Sequence, residues 1–206
     1  MPSPVYYRLG IGYSKTTGAD IQDADPNASA ICGDPACTTP GKLKDVGGGF
    51  ALSAGVGYRF TPMLRGDLTF EYRRYVNDKT DAASPATTFK LDVGALTMLA
   101  NGYVDFNLGG FSPYLGAGIG VSRNRTGSTS FDNGAGFSGS LPGGTRSDFA
   151  WAVMAGVGIP VSGWVLDLGY RYVDLGKLEF PSDAGTGYGG ANGKLKAHEL
   201  MLGMRF

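Results

Sequence analysis

The sequence predicts an all-β chain, a single eight-stranded antiparallel transmembrane up-and-down β-barrel, on three observations. Apolar residues alternate with period two over segments of about ten residues, eight times along the chain. The face between them is built mostly of Gly, Ala and Ser. The connections are short and long in strict turn, as in barrels with short periplasmic turns and long outer loops.

The segments follow in order. In the first, Val5, Tyr7, Leu9, Ile11 and Tyr13 share one face, and Tyr6, Arg8, Gly10, Gly12 and Ser14 the other. The second sets Phe50, Leu52, Ala54, Val56, Tyr58 and Phe60 against Ala51, Ser53, Gly55, Gly57 and Arg59. The third sets Leu64, Leu68, Phe70 and Tyr72 against Arg65, Asp67, Thr69, Glu71 and Arg73. The fourth opposes Leu96, Met98, Ala100, Val104 and Phe106 to Thr97, Asn101, Tyr103 and Asp105. Leu115, Ala117, Ile119 and Val121 stand against Tyr114, Gly116, Gly118, Gly120 and Ser122 in the fifth. The sixth carries Trp151, Val153, Ala155, Val157 and Ile159 opposite Ala150, Ala152, Met154, Gly156 and Gly158. The seventh carries Trp164, Leu166, Leu168, Tyr170 and Tyr172 opposite Asp167, Gly169 and Arg171. The eighth carries Leu200, Leu202, Met204 and Phe206 opposite Glu199, Met201, Gly203 and Arg205.

A soluble barrel alternates too, but its water-facing side carries charge throughout. Here charges on the second face are isolated among small residues, which suits a narrow lumen and makes the apolar face the lipid face. It also accounts for 35 glycines in 206 residues, more than twice the ordinary share. Tight turns are expected at Thr61–Pro62, at 107–110 and at 161–163. Long outer loops are expected at about 15–47, 76–89, 123–147 and 174–194, the last two poor in apolar residues and unable to order themselves by burial. An even strand number puts both termini on the periplasmic side.

Other classes fall away. Eighteen Lys and Arg balance eighteen Asp and Glu, so nothing marks a nucleic-acid partner. No run of 18 apolar residues exists for a transmembrane helix. No signal peptide is visible, and Met1 is expected to stand where one has been removed, leaving residues 1–206 as one domain. Cys32 and Cys37 flank Gly-Asp-Pro-Ala, a stretch that favours a turn, and are read as a small disulfide in an oxidising compartment. A metal pair is disfavoured because no third ligand lies nearby.

Gly116-Ala-Gly118-Ile-Gly120 has the wrong spacing for a nucleotide loop and no helix pattern follows it. His198, the single histidine, has the parity of Phe206 and is expected to face lipid near the outer interface, away from any lumen nucleophile. The sequons at Asn27 and Asn124 carry no expected meaning. The chemically informative set points inward. Arg8, Arg59, Arg65, Arg73, Arg171 and Arg205 face Asp67, Glu71, Asp105, Asp167 and Glu199. In a lumen of low polarity such charges must pair, and eight strands enclose only enough room for side chains to fill. A charge-paired, largely plugged lumen is therefore expected, with a narrow passive channel as the alternative.

Leu99-Ala-Asn-Gly-Tyr-Val-Asp105, Pro113-Tyr-Leu-Gly-Ala-Gly-Ile-Gly120 and Gly169-Tyr-Arg-Tyr172, with an aromatic C-terminus at Phe206, resemble the opacity-protein and outer-membrane-protein-A-like surface antigens, in particular alphaproteobacterial ones. The resemblance covers the chain from about residue 5 to its end. It implies an integral protein of a Gram-negative-type outer membrane, a structural envelope protein or surface antigen and not an enzyme, with no cofactor. It implies lipid, lipopolysaccharide and the outer-membrane assembly machinery, which would read Phe206, as partners, with host or envelope proteins met through the outer loops. No soluble peptidoglycan-binding domain of the kind some members carry is expected. The cysteine loop is not a family feature, and a barrel-wall enzyme ranks last among the functions.

Overall fold

The computed structural model describes residues 4–17, 22–23, 47–81, 87–127, 129–132, 138–141, 143–180 and 191–206. Eight long strands form the wall: β1 (Val5–Thr16), β2 (Gly48–Arg59), β3 (Leu64–Asp81), β4 (Thr87–Asp105), β5 (Ser112–Thr126), β6 (Thr145–Val161), β7 (Trp164–Phe180) and β8 (Ala191–Arg205). Each pairs antiparallel with its neighbours in sequence. β1 also pairs with β8, through Leu9↔Met204, Ile11↔Leu202 and Tyr13↔Leu200, so the sheet closes on itself. Closure leaves no edge with unpaired backbone groups, which is the condition for crossing lipid with strands.

The predicted faces hold along every strand. The outward side is apolar and exposed: Leu9 is 49% accessible, Phe70 56%, Ile119 61% and Leu200 64%. The inward side is buried and carries the charges. This inversion of the soluble pattern is what a lipid solvent selects. Aromatic side chains mark both ends of the outward belt. Tyr7, Tyr58, Phe60, Phe106 and Phe206 lie at the end carrying the short turns, and Tyr13, Phe50, Tyr72, Trp151 and Tyr172 toward the end carrying the longer connections.

The three tight turns have local causes. Thr61 Oγ1 accepts hydrogen bonds from the Met63 and Leu64 amides (3.2 and 2.9 Å). Asn107 Oδ1 accepts the Gly109 amide at 3.1 Å. Between β6 and β7 the chain reverses through two residues, Ser162 and Gly163, both at positive φ (21° and 96°), as a two-residue hairpin requires.

The long connections are shorter than the alternation suggests. Residues 76–81 and 87–89 are strand, so the expected loop 76–89 is the top of a hairpin, with Asn77↔Leu91 and Lys79↔Phe89 in register. Likewise β5 runs to Thr126, β6 starts at Thr145, β7 runs to Phe180 and β8 starts at Ala191. Alternation reports only where lipid begins and ends. The backbone ladder continues past that level with polar side chains. Inside the third connection Thr129–Asp132 pairs with β4 and with Ser138–Leu141, so part of the Gly/Ser-rich stretch expected to be unstructured joins the sheet. Gln22–Asp23, in the first connection, pairs with the start of β8. Cys32 and Cys37 lie outside the described residues, as do 133–137 and 181–190.

A bulge in β7 escapes the sequence reading. Register shifts between Asp174 and Lys177 opposite β8, and Gly176 takes φ +80°. Asp174 Oδ1 accepts the Gly176 amide (3.0 Å) and Asp148 Oδ2 the Lys177 amide (3.0 Å). An inserted residue reverses parity, which is why Leu175 and Leu178 both point inward and are fully buried.

The glycines make room in a crowded interior. A Cβ on Gly55 would come 2.6 Å from the Leu68 carbonyl and 2.8 Å from Thr69 Cγ2, and one on Gly169 2.6 Å from the Tyr114 hydroxyl. Gly55→Val is expected to destabilise the barrel by about 1–3 kcal/mol through overpacking. Urea unfolding in lipid vesicles checks it, and an unchanged midpoint would refute the close-packed interior.

Candidate functional site: the lumen

The inward side chains form two charged levels and an apolar cap. At the level nearest the short turns, Arg205 of β8 donates through Nε and Nη2 to both oxygens of Asp167 on β7 (2.6 and 2.8 Å). Arg65 of β3 donates through Nε to Asp105 on β4 (2.8 Å), and its guanidinium stacks 3.8 Å from the Tyr103 ring centroid. Arg8 of β1 reaches across to Asp67 of β3 (3.0 Å) and to the Tyr103 hydroxyl (2.6 Å). Asp67 also accepts the Tyr6 hydroxyl (3.0 Å) and Asn101 Nδ2 (2.8 Å). That carboxylate has no side-chain exposure, and its acceptor sites are filled by donors from two strands, Tyr6 and Arg8 of β1 and Asn101 and Tyr103 of β4.

The second level is a closed quartet. Glu71 and Arg73 of β3 face Arg171 of β7 and Glu199 of β8. Arg73 donates to Glu71 (2.5 Å) and Glu199 (2.6 Å), and Arg171 donates to Glu71 (2.5 Å) and Glu199 (2.5 Å). Each carboxylate meets both guanidiniums. Glu199 additionally accepts the Ser14 hydroxyl of β1 (2.9 Å), which also meets the Tyr75 hydroxyl (2.8 Å). The alternation puts these four residues on inward positions, and the register brings them to one height. Side-chain exposures of 0–6% leave the quartet sealed from solvent, where charges persist only when paired and hydrogen-bonded.

Above the quartet, toward the outer end, most of the buried side chains are apolar, with Thr16 of β1 and Ser122, Asn124 and Thr126 of β5 as buried polar members. Tyr75, Val93, Ala95, Ala150, Ala152, Val173, Leu175, Leu178, Leu195 and Ala197 are all buried and belong to one packed cluster. This cap is absent from the sequence reading. Its only signals are apolar residues at inward parity beyond the lipid-facing stripe, and the β7 bulge hides one of them, Leu178.

Ten of the eleven predicted lumen charges pair inside the barrel. Arg59 is the exception. It sits half-buried at the periplasmic mouth with its guanidinium over the Tyr6 ring, 5.5 Å from the centroid, and makes no salt bridge among the described residues. As the last residue of β2, it has no further lumen wall beside it to supply a carboxylate. Phe206 closes the ladder by exchanging backbone hydrogen bonds with Tyr7 (2.9 and 3.0 Å). His198 faces outward as expected, packed against Tyr172 (ring centroids 5.1 Å apart) and in contact with the Tyr170 hydroxyl. Gly116, Gly118 and Gly120 line β5 in strand conformation. Asn124, the sequon residue, is buried and donates to the carbonyls of Leu175 and Lys177 (2.7 and 3.2 Å).

A closed antiparallel barrel with an apolar exterior, aromatic girdles and ionic interior defines an integral outer-membrane β-barrel protein. The chain belongs to the family described as outer membrane protein beta-barrel domain, which it matches over residues 2–206, and it is a protein of the outer membrane. An uncharacterized protein of Brucella abortus is 36% identical over 146 residues, 61% of this chain and 51% of its own length. The chain thus spans about half the length of the Brucella relatives it matches, in keeping with the alphaproteobacterial resemblance. Outer membrane protein PagN of Salmonella typhimurium is 27% identical over 187 residues, 82% of this chain and 76% of PagN. Among solved structures, Neisserial surface protein A superimposes with a TM-score of 0.53 at 25% identity, covering 98% of this chain and 96% of that one. OprG of Pseudomonas aeruginosa gives 0.52 at 14% identity, covering 99% and 96%, a likeness of fold alone.

Proposed function

We propose that this chain is a structural surface protein of the outer membrane, with a lumen closed by paired charges and an apolar cap, and with outer connections that meet host, phage or envelope partners. The observation that carries the closed lumen is the Glu71–Arg73–Arg171–Glu199 quartet. It spans the bore from β3 to β7 and β8 with each carboxylate neutralised twice. The apolar cap stacked above it supports the same reading, because a solute path would have to cross both. The surface role is supported by relatedness to a protein named a surface protein. Lipid and lipopolysaccharide are the partners of the outward belt, the assembly machinery is the reader of Phe206, and Cys32 and Cys37 are a disulfide of the first outer loop. An enzymatic role has the least support, since His198 stands on the outer wall among tyrosines.

A second reading, a narrow passive channel, has one observation in its favour. Ser53 Oγ and Asn101 Oδ1 are buried in the lumen without a hydrogen-bond partner among the described residues, which marks polar positions beside the two charged levels. Conductance in planar bilayers separates the readings. The unmodified barrel is expected to stay silent, and stable openings of general-porin size would overturn the closed lumen and favour the channel.

A further inference from the structure

On the outer wall of β3, β4 and β5, beyond the girdle, three arginines surround an open hollow of about 980 Å³. Arg74 is the next outward residue after Tyr72. Arg123 and Arg125 are the next two outward residues after Val121. Register aligns Arg74 with Gly94 and Gly94 with Arg125, and Tyr72 with Leu96 and Leu96 with Arg123. Arg74 and Arg125 therefore flank Gly94 on either side, about 10 Å apart across two strand spacings. A Cβ at Gly94 would meet nothing nearer than the Arg73 carbonyl at 3.9 Å, so the floor between the two guanidiniums is open. Leu96 and Tyr72 supply an apolar lower edge continuous with the lipid-facing belt.

The charges are not balanced locally. Asp92, the neighbouring outward residue of β4, pairs with Arg74 through two hydrogen bonds (3.3 and 2.8 Å). Arg123 and Arg125 are exposed and make no ion pair among the described residues. The hollow thus holds three cations against one carboxylate, at the height where acyl chains give way to headgroups. Arginine forks match phosphate oxygens in geometry as well as charge.

From this we infer that the hollow between Arg74, Arg123 and Arg125 is a binding site for a phosphate group of an outer-leaflet glycolipid, lipid A, with its acyl chains along the belt below. The phosphate sits over Gly94 between Arg74 and Arg125, Arg123 meets its lower side, and Asp92 competes with it for Arg74. The inference rests on the reading that lipopolysaccharide surrounds the outer end of the wall, and adds the site and the group recognised.

The test is native mass spectrometry of the detergent-solubilised folded barrel offered bis-phosphorylated lipid A, dephosphorylated lipid A, or inorganic phosphate in large excess as competitor. Retention of the phosphorylated form is expected to exceed that of the dephosphorylated form by about tenfold or more, the scale of one charge-assisted contact. Arg123→Gln with Arg125→Gln should erase the difference. Gly94→Leu, which fills the floor and leaves every charge in place, should do the same. Asp92→Asn should raise retention by freeing Arg74. All variants lie on the exposed wall, and heat-modifiable mobility on gels confirms that each is folded before it is scored. Equal retention of both lipid forms overturns the phosphate site while leaving lipid contact intact. Retention of neither overturns the lipopolysaccharide reading along with it. Complete displacement by inorganic phosphate overturns the lipid as the occupant.

Discussion

Replacing Glu199 with alanine is expected to destabilise the barrel by about 3–5 kcal/mol, the cost of breaking a buried ion pair from one side. The side chain is fully sealed, with 0% exposure, so solvent screening does not reduce the figure. Its loss leaves Arg73 and Arg171 sharing Glu71 alone and strips Ser14 of its carboxylate acceptor. Removing Arg171 as well restores charge balance in what remains, one arginine against one glutamate. Glu199→Ala/Arg171→Ala should therefore lose less than the two single losses added together, since contacting residues couple. Reversible urea unfolding in vesicles gives the three values. A Glu199→Ala loss below about 1 kcal/mol, the range of a surface pair, or strict additivity with Arg171→Ala, would mean that the quartet is wet and that the closed lumen is wrong. Planar-bilayer recordings on the same variant add a second readout, because a lumen held shut by the quartet should begin to conduct once it is broken.

The fold was legible because lipid imposes a rule that sequence cannot disguise. Every outward position from Val5 to Tyr13 is apolar, and one register slip would move the whole stripe inside. Facing, strand number and the three short turns follow from that stripe together with Thr61–Pro62, Asn107 to Gly110 and Ser162–Gly163. Strand ends were not legible. Asn77, Asp78 and Lys79 stand beyond the lipid, where the ladder continues but side-chain polarity no longer alternates. The lumen was legible in kind and not in arrangement. Parity alone puts Glu71, Arg73, Arg171 and Glu199 inside, but which ones meet depends on stagger between strands far apart in sequence, and Glu199 lies 126 residues from Arg73. One member of the apolar cap was hidden by the Gly176 bulge, which shifts parity after Leu175 and turns Leu178 inward. The outer-wall arginines were hidden for a different reason. Arg123 and Arg125 fall within an expected loop, and only their place on β5 gives them a fixed direction.

Charge on the outer wall should be tolerated according to depth, and Leu9→Arg is expected to cost about 2–4 kcal/mol, as a cation near the bilayer midplane does. Leu9 is outward and 49% exposed, flanked across the sheet by Met204 and Ala54, neither of which offers a counter-charge. It stands between Tyr7 at the inner girdle, two residues before it, and Tyr13 at the outer one, four residues after it. Tyr13→Arg is on the same strand and the same face, but its guanidinium reaches the headgroups, so its cost should fall to about 0–1 kcal/mol. The contrast between the two isolates burial in hydrocarbon from any general intolerance of β1, whose inward neighbours Gly10 and Gly12 are unchanged in both. Folding free energies from urea titration in vesicles of fixed chain length provide the measurement. Thinner bilayers should narrow the gap, because they bring position 9 closer to an interface. Equal costs at positions 9 and 13, or no cost at 9, would place this face of β1 away from lipid and invert the assignment of inside and outside on which the lumen, the girdles and the arginine hollow all depend.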